Sequence, residues 1–474
     1  MTSFWNNWAD HAGHVALRGD GGESLTYAEL ARAADELQAR IGRRCLAFCL
    51  CENSPGAMLG YVSCLRHGVV PLLLAKDLDR ALLQRLLELY RPEYLYVPQA
   101  MAGQFPRFPV RHTGFNYALL QTDFADPFPL HGDLALLLTT SGSTGSPKLV
   151  RQSYRNVASN AQAIAQYLEL DATERPITTL AMSYTYGLSI LNSHLLVGAT
   201  LLVTARTLVE KGFWEFFKSA GATSFGGVPY TYEMLKKLRF FRMDLPTLRT
   251  LTQAGGKLAP ELAREVAEYA ARRNVRFFVM YGQTEATARM AYLPPALALA
   301  KCGSMGMPIP GGRFELIDAD GARIEGPDVP GELVYHGPNV ALGYAERGED
   351  LAKGDEWGGV LATGDVARRD ADGCYYVVGR KKRFLKIFGN RVNLDETERM
   401  LKDRFDGLDC ACAGVDDRMT VYLAEAGAER AREVLDFLAA KTGLNPVAFA
   451  AQAVPRIPKN EAGKTLYAEL EKTG

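Results

Sequence analysis

The sequence predicts an α/β protein with a large N-terminal domain of layered, mostly parallel sheets with helices plus a small β subdomain, and a small α+β C-terminal domain. Three observations predict this class. The chain has 474 residues, which is too long for one compact core. Short apolar runs alternate with amphipathic stretches from about residue 134 to 285. After about residue 302, short β-like runs are separated by Gly and Pro, which is typical of antiparallel strands.

Strands and helices alternate through the middle of the chain, which is the order found in layered sheets with parallel strands. Ser153 is the predicted N-cap of the first helix in this series, because its hydroxyl can accept a hydrogen bond from the first turn. Apolar residues then recur at helical spacing, at Val157, Ala161, Ile164 and Leu168. The predicted strands lie at 134–140, 199–204, 248–255 and 275–282. Two later helices are predicted, one near 208–219 and one at 259–272.

A run of four basic residues, Arg380 to Arg383, follows a strand-like segment (YYVVG) and precedes a new α+β pattern. We place the domain boundary there, which gives an N-terminal domain at 1–380 and a C-terminal domain at 381–474. On composition alone, such a charge run is more often a solvated linker than a functional segment.

The composition excludes several classes of function. The 54 basic and 54 acidic residues balance, so the chain has no broad charged surface for nucleic acid or an anionic membrane. No run of about 18 apolar residues is present to span a bilayer, and the N-terminal segment lacks signal-peptide features. We therefore expect a cytoplasmic protein without membrane insertion. The eight cysteines, including Cys49/Cys51 and Cys410/Cys412, are expected to be buried free thiols rather than disulfides or metal ligands.

The segment TTSGSTGSPK at 139–148 is rich in glycine and small hydroxyl residues and ends in Lys148. Glycines allow unusual backbone geometry, hydroxyl and amide groups can surround phosphate oxygens, and the lysine supplies a cation. The segment differs from a P-loop, because Pro147 stands where that motif has its second glycine. Flexible linkers share the composition, so by its residues alone the segment is either a phosphate cradle or a linker.

The segment at 140–148 resembles the phosphate-binding signature of the adenylate-forming superfamily, which includes acyl-CoA synthetases, peptide-synthetase adenylation domains and luciferases. The resemblance extends in order from LTYAEL at 25–30 to PKNEAGK at 458–464. It implies ATP and Mg²⁺ as cofactors, a carboxylic acid as substrate, and a C-terminal domain that is mobile. The implied phosphate-binding residues are Thr140, Ser141, Gly142, Ser143, Thr144 and Gly145.

The segment YGQTE at 281–285 resembles a second motif of this superfamily. The resemblance implies that Tyr281 and Gly282 lie near the adenine, that Thr284 contacts the α-phosphate, and that Glu285 is the metal ligand. A carboxylate is the hard oxygen ligand that Mg²⁺ prefers. Without the motif, Glu285 is equally well a helix N-terminal acid.

Two further loops resemble nucleotide-contacting motifs of the superfamily. Ala254, Gly255 and Gly256 resemble the loop beside the adenine, for which a simple turn is the alternative. Asp365, in Thr-Gly-Asp, resembles the carboxylate that accepts hydrogen bonds from both ribose hydroxyls. Arg380 matches the arginine implied to lie near the ribose and phosphates.

The resemblance also implies a hinge between two half-reactions. Lys382 is the pivot candidate, and Lys386 and Gly389 belong to the face that serves thiol transfer. Lys464 matches the mobile C-terminal lysine of adenylation, although a lysine near a terminus is usually only solvated. In the implied reaction the acid attacks the α-phosphorus of Mg-ATP, pyrophosphate leaves, and a pantetheine thiol then displaces AMP. The implied catalytic residues are Lys464, Lys148, Thr284 and Glu285.

The acid is expected to bind around residues 182–187 and 226–229. Residues 180–190 contain no acidic side chain to pair with an ammonium group, which favours a fatty acyl or aryl acid over an amino acid. Tyr184 and Tyr186 line the pocket or pack in the core, and the sequence leaves both open. The candidate pocket residues are Tyr184, Tyr186, Gly187, Gly227 and Val228.

The acceptor thiol belongs either to CoA or to holo-acyl carrier protein. The C-terminal domain is short for the superfamily, which favours the carrier protein slightly. Three alternatives remain: a stand-alone amino-acid adenylation enzyme, a luciferase-like oxidative use of the adenylate, and a non-catalytic nucleotide-binding regulator.

Overall fold

A computed structural model of the chain divides it into two compact units, Met1–Arg313 with Tyr335–Leu361 and Phe314–Val334 with Ala362–Gly474. The second unit contains residues on both sides of the boundary predicted at residue 380, and the division into 1–380 and 381–474 stays a prediction. The structure describes residues 3–6, 8–139, 148–380, 383–387, 390–415, 417–442, 444–460, 463 and 465–470.

The helices begin and end at residues suited to those positions. The hydroxyl of Thr26 accepts from the backbone of Glu29, whose carboxylate accepts from the backbone of Thr26, and Gly42, at φ 76°, ends the same helix. The helices, in chain order, are α1 Tyr27–Ile41, α2 Pro55–His67, α3 Arg80–Tyr90, α4 Tyr154–Tyr167, α5 Thr185–Leu196, α6 Lys211–Ala220, α7 Pro229–Lys237, α8 Pro260–Arg273, α9 Leu394–Arg404, α10 Ala428–Thr442 and α11 Tyr467–Leu470.

The strands are short and alternate with these helices. In chain order they are β1 Val15–Gly19, β2 Ser24–Thr26, β3 Leu46–Cys51, β4 Val70–Ala75, β5 Tyr94–Pro98, β6 Val110–Gly114, β7 Tyr117–Gln121, β8 Leu134–Thr139, β9 Leu149–Ser153, β10 Leu201–Val203, β11 Ser224–Gly227, β12 Thr250–Gln253, β13 Arg276–Tyr281, β14 Ala291–Leu293, β15 Met307–Pro308, β16 Arg313–Ile317, β17 Gly331–His336, β18 Gly343–Ala345, β19 Val360–Arg369, β20 Tyr375–Arg380, β21 Phe384–Ile387, β22 Asn390–Asn393, β23 Cys410–Val415, β24 Arg418–Ala424 and β25 Phe449–Val454.

The first unit contains three mixed sheets. Their orders are β18-β9-β8-β4-β3-β5-β7-β6, β11-β12-β13-β14-β15 and β10-β1-β2. The pairs β8/β4, β4/β3 and β3/β5 are parallel, as are β11/β12 and β12/β13. Antiparallel strands extend the two larger sheets at their edges. The predicted α/β class is confirmed, and the sheets are more mixed than the sequence predicted, because connections as short as that between β8 and β9 reverse the chain.

The predicted series of strands and helices is present. Ser153 accepts from the backbone of Asn156 and caps α4 as predicted. The residues predicted at helical spacing along α4 are all buried, with at most 2% exposure. Strand β9, between residue 148 and α4, was not predicted, because its sequence LVRQS is two apolar residues followed by three polar ones and lacks the alternation that indicates a strand.

The second unit contains most of the sheet β16-β17-β19-β20, the hairpin β21-β22, and the sheet β23-β24-β25. Strands β19 and β20 run antiparallel, as predicted for the β subdomain. A separate apolar core lies between the later strands and helices α9 and α10, around Leu401, Val421 and Leu438.

All eight cysteines are free. Cys49 and Cys51 lie in β3, and Cys410 and Cys412 lie in β23, and all four are buried. Seven of the eight thiols are buried as predicted, and Cys302 is half-buried.

Within the described ranges, no helix is both long enough and apolar enough to cross a membrane.

Candidate active site

Lys148 is positioned by the strand that follows it. Strand β9 begins at the next residue and lies between β8 and β18, with Leu149 opposite Thr139 on one side and Ala345 on the other. The Nζ of Lys148 lies 3.4 Å from the ring centroid of Tyr344, in β18. Its ion pair with Glu346 is loose, at 3.9 Å, and a third of the lysine side chain is exposed. Lys148 is therefore held over an aromatic ring with its charge largely unpaired.

Tyr344 joins Lys148 to Glu285. Its hydroxyl donates a hydrogen bond to Oε1 of Glu285 at 2.8 Å, and its ring packs edge-on against Trp357. Burial, together with the Glu285 carboxylate, raises the pKa of Tyr344, so the hydroxyl keeps its proton and remains a donor. Sequence reasoning missed Tyr344. The only local signal was an aromatic residue after a glycine in an apolar run.

The turn that presents Glu285 is fixed by close backbone packing. Thr284–Ala286 form one turn of 3₁₀ helix after β13, and Thr284 is buried with its carbonyl accepting from Nε2 of Gln152 at 3.0 Å. A Cβ at Gly282 would lie 1.6 Å from the carbonyl oxygen of Ala288, so this position requires glycine. Tyr281 is half-buried, and its hydroxyl accepts from Gln283.

The loop predicted to lie beside the adenine follows β12. Gly255 has φ 82°, a left-handed conformation that suits glycine, and a Cβ there would lie 2.7 Å from the hydroxyl of Tyr184 and 2.9 Å from Val228. A Cβ at Gly256 would lie 3.1 Å from Pro229. Ala254 is buried. The structure brings this loop against two of the predicted pocket residues.

The two pocket tyrosines differ in burial. Tyr186 is 3% exposed, and its hydroxyl shares a 2.7 Å hydrogen bond with Thr252, so it packs in the core. Tyr184 is half-buried, and burial raises its pKa to about 12. Packing also requires glycine at positions 187 and 227. A Cβ at Gly187 would lie 2.3 Å from the carbonyl oxygen of Ala181, and a Cβ at Gly227 would lie 2.8 Å from the side chain of Thr231.

Asp365 and Arg380 lie side by side in the second unit. They are opposite each other in β19 and β20, and Nε of Arg380 is 3.3 Å from Oδ1 of Asp365. Asp365 is 4% exposed, while the arginine side chain is 58% exposed. The hydroxyl of Thr363 accepts from the backbone of Asp365 and donates to the carbonyl of Leu333. The carboxylate is therefore buried on a fixed backbone, and its contact with the ribose stays a prediction.

A buried charge cluster begins just after the predicted hinge. Arg383 forms ion pairs with Glu398 at 2.5 Å and Asp395 at 2.6 Å, and its guanidinium lies 3.5 Å from the ring centroid of Tyr467. The hydroxyl of Tyr467 donates to Oε2 of Glu398 at 3.1 Å, and the backbone of Cys412 donates to Oε1 of the same carboxylate. The structure shows that Glu398 joins strand β23 to the segment that contains α11.

Several predicted site residues lie outside the described ranges and stay predictions. Lys386 lies in β21, and its side chain is likewise outside them. The others are Thr140, Ser141, Gly142, Ser143, Thr144, Gly145, Lys382, Gly389 and Lys464.

The fold and these residues define a class of protein, the enzymes that bind AMP and form acyl-adenylates. The chain belongs to the AMP-binding enzyme family, which matches residues 4–345. It is 28% identical to feruloyl-CoA synthase from Amycolatopsis sp. over 97% of this chain and 96% of the relative. It is 29% identical to indoleacetate–CoA ligase from Aromatoleum aromaticum over 83% of this chain and 81% of the relative.

Solved structures agree with the fold. The structure of o-succinylbenzoate CoA synthetase from Bacillus subtilis, in complex with its acyl-adenylate, superposes with a TM-score of 0.80 and is 23% identical in sequence. The match covers 99% of this chain and 98% of the synthetase chain. The same enzyme has been solved with ATP and magnesium. The prediction of an AMP-forming acid–thiol ligase, which activates a carboxylic acid with ATP and then forms a thioester, is confirmed.

Proposed function

We propose that this chain joins an aryl carboxylic acid to CoA, with Mg-ATP as the activating cosubstrate. Lys148, Thr284 and Glu285 contact the phosphates and metal, Asp365 and Arg380 hold the ribose side, and Lys464 supplies a second cation during adenylation.

The arrangement of Lys148, Tyr344 and Glu285 carries this proposal. Within the part of the chain that the structure describes, no ion pair joins Lys148 to Glu285, although both contact Tyr344. A cation for the phosphates and a carboxylate for a metal are therefore both available to a ligand. A hard oxygen ligand of this kind suits Mg²⁺, which would neutralise phosphate charge when bound.

Charge repulsion is the obstacle that these residues act on. The substrate carboxylate and the α-phosphate are both anions, and their approach concentrates negative charge. A lysine already held in place loses little freedom when this charge develops, so Lys148 stabilises the transition state more than the ground state.

The pocket residues support an aryl acid. The hydroxyl end of Tyr184 lies against Gly255, and Tyr184 is the half-buried member of the predicted pocket, so we propose that a flat ring packs beside it. The relatives described above are named for feruloyl and indoleacetate groups. An amino acid is the alternative substrate. It is supported by the similarity to a linear gramicidin synthase from Brevibacillus parabrevis, which is 28% identical over 85% of this chain and 5% of that protein. The lack of an acidic residue at 180–190 argues against it.

CoA is the proposed acceptor because the relatives that match along most of their length are named for CoA thioesters. A holo-acyl carrier protein remains the alternative that the short C-terminal domain suggested. A cytoplasmic location is proposed as well, and eight free thiols support it, because reduced cysteines persist there.

The test is pyrophosphate exchange into ATP with a panel of aryl, fatty and amino acids, followed by thioester formation with CoA or holo-acyl carrier protein. We expect aryl acids to exchange best and CoA to be the better acceptor. Exchange should require Mg²⁺ and fall about 10²–10³-fold in Glu285→Gln. Glu349→Gln, an exposed change in the same unit, is the control. Nucleotide binding without exchange for any acid would favour the regulator.

A further inference from the structure

Among the described residues of the first unit, two arginines are almost completely buried, and only one of them pairs with a carboxylate. Arg151 is 0% exposed, pairs with Glu356, and donates to the carbonyls of Tyr344 and Gly354 at 3.1 Å each. Its charge is therefore neutralised and its donors are used. This is the usual state of a buried guanidinium, because an uncompensated buried charge is strongly unfavourable.

Arg289 lacks that compensation. It is 2% exposed, and its Nε and Nη1 donate to the hydroxyls of Ser189 and Tyr167 at 3.1 and 3.0 Å. Nη1 also contacts the sulfur of Met280. Nη2 is buried with no hydrogen-bond partner, and no carboxylate among the described residues pairs with this side chain. The arginine is held by neutral acceptors, and its charge has no carboxylate partner among the described residues.

Two aromatic rings connect Arg289 to residues of the predicted acid pocket. Its guanidinium carbon is 5.2 Å from the ring centroid of Tyr186, whose centroid is 6.4 Å from that of Tyr184. Tyr184 in turn meets Gly255, in the loop predicted to lie beside the adenine. These residues form a continuous series from that loop to the unmatched charge.

We infer that Arg289 binds a second carboxylate of the substrate acid, at the end away from the carboxylate that is activated. This inference rests on the proposed function. A planar guanidinium matches a carboxylate geometrically, and a ligand carboxylate would supply the charge that the protein lacks there. The substrate is then an aryl dicarboxylic acid rather than a simple aryl acid.

The first test needs only the unmodified chain. Pyrophosphate exchange is measured with 4-carboxycinnamate and with 4-carbamoylcinnamate, which has the same shape but no second charge, and with octanedioate and its monoamide. We expect kcat/KM to favour the dicarboxylate by roughly 10- to 100-fold, the range for a hydrogen-bonded charge. Equal or better use of the amides overturns the inference, and it is the result expected if Nη2 binds only a buried water.

Variants assign the preference to this side chain. In Arg289→Met the ratio of dicarboxylate to amide should fall to about one, and Arg289→Lys should keep part of it because the charge remains. Arg276→Met is the control, because that arginine lies at the start of β13, pairs with Glu169 and donates to the carbonyl of Leu168. A folded Arg289→Met that keeps the full ratio would contradict the inference.

The same exchange measurements, made with a panel of acids, distinguish failure of the Arg289 inference from failure of the proposed function. Exchange with monocarboxylic aryl acids but not with diacids refutes the role of Arg289 and leaves the proposed function standing. Exchange with no acid refutes both. If Arg289→Met does not fold, the ratio in the unmodified chain and in Arg289→Lys decides.

Discussion

Each unit contains a tyrosine that holds a cation on its ring and donates its hydroxyl to a glutamate, but the two sets differ in whether the cation and the carboxylate also meet. In the first triad, Lys148, Tyr344 and Glu285, the ring lies 3.4 Å from the cation and the hydroxyl 2.8 Å from the carboxylate. The structure shows no ion pair between these two described side chains, and the lysine is one-third exposed. The tyrosine keeps them apart.

The second triad consists of Arg383, Tyr467 and Glu398. The guanidinium lies 3.5 Å from the tyrosine ring and the tyrosine hydroxyl 3.1 Å from the carboxylate, and the guanidinium also pairs directly with the carboxylate at 2.5 Å. Their side chains are only 14% and 11% exposed. The charges of the second triad are thus paired within it and enclosed, which suits a structural role. The same local pattern thus leaves its charges available to a ligand in the first unit and pairs them within the fold in the second.

The largest effect is expected from removing the cation of the second triad. Arg383→Met leaves the Glu398 carboxylate buried without its partner, which typically destabilises by about 3–5 kcal/mol. We expect faster hydrogen exchange in β23 and α9 and a lower unfolding temperature for the second unit. Unchanged exchange there would show that the pair contributes little to folding.

The corresponding change in the first triad should affect activity and spare stability. Lys148→Met is expected to lower pyrophosphate exchange about 10²–10³-fold, because a cation at the phosphates is lost. Hydrogen exchange in β9 and β18 should change little, since the lysine is partly exposed. A loss of stability as large as the loss of activity would make the two triads alike.

Removing one hydroxyl from each triad gives a matched pair. Tyr344→Phe keeps the ring under Lys148 but removes the hydrogen bond that holds the Glu285 carboxylate. The loss of one hydrogen bond costs about 1 kcal/mol, so the Mg²⁺ concentration for half-maximal pyrophosphate exchange should rise several-fold. Tyr467→Phe should lower the free energy of unfolding of the second unit by about 0.5–1.5 kcal/mol and leave the Mg²⁺ requirement unchanged. Mg²⁺ titrations and denaturant unfolding of both variants test this crossover, and the reverse pattern would refute it.

The smallest effect should come from Glu346→Gln. Its carboxylate is 3.9 Å from Lys148 and 68% exposed, and such surface pairs contribute about 0–1 kcal/mol. We expect a change in exchange rate of less than about fivefold at moderate salt and none at high salt. A large, salt-resistant effect would mean that Glu346, rather than Tyr344, positions the lysine.

The sequence predicted the parts of the fold that depend on neighbouring residues. Ser153 caps α4 through a residue three positions later, and the apolar spacing of that helix is a local pattern, so both were predictable. Lys148 and Glu285 were identified through motifs of adjacent residues. How their charges are arranged was not predictable, because Tyr344 reaches them through the pairing of β18 with β9, which are far apart in the chain.

Arg289 was missed for a related reason. Its segment, TARMAY, has no motif or periodic pattern that indicates a buried cation, and its burial results from packing against α4 and α5, which contain Tyr167 and Ser189. Tyr186 was assigned equally to pocket and core, and its 3% exposure and hydrogen bond to Thr252 show that it is packed. Arg289 lies against the ring of Tyr186, so this packed tyrosine adjoins the residue inferred to bind the second carboxylate of the substrate.

The close approach of Gly282 to the carbonyl of Ala288 affects how mutational data at this motif are interpreted. An alanine there would push two backbone segments apart and shift the turn that carries Glu285. Weaker ATP binding in such a variant would report a distorted turn, whether or not the nucleotide touches residue 282. Contact with the ligand at this position is better tested with modified nucleotides than with modified protein.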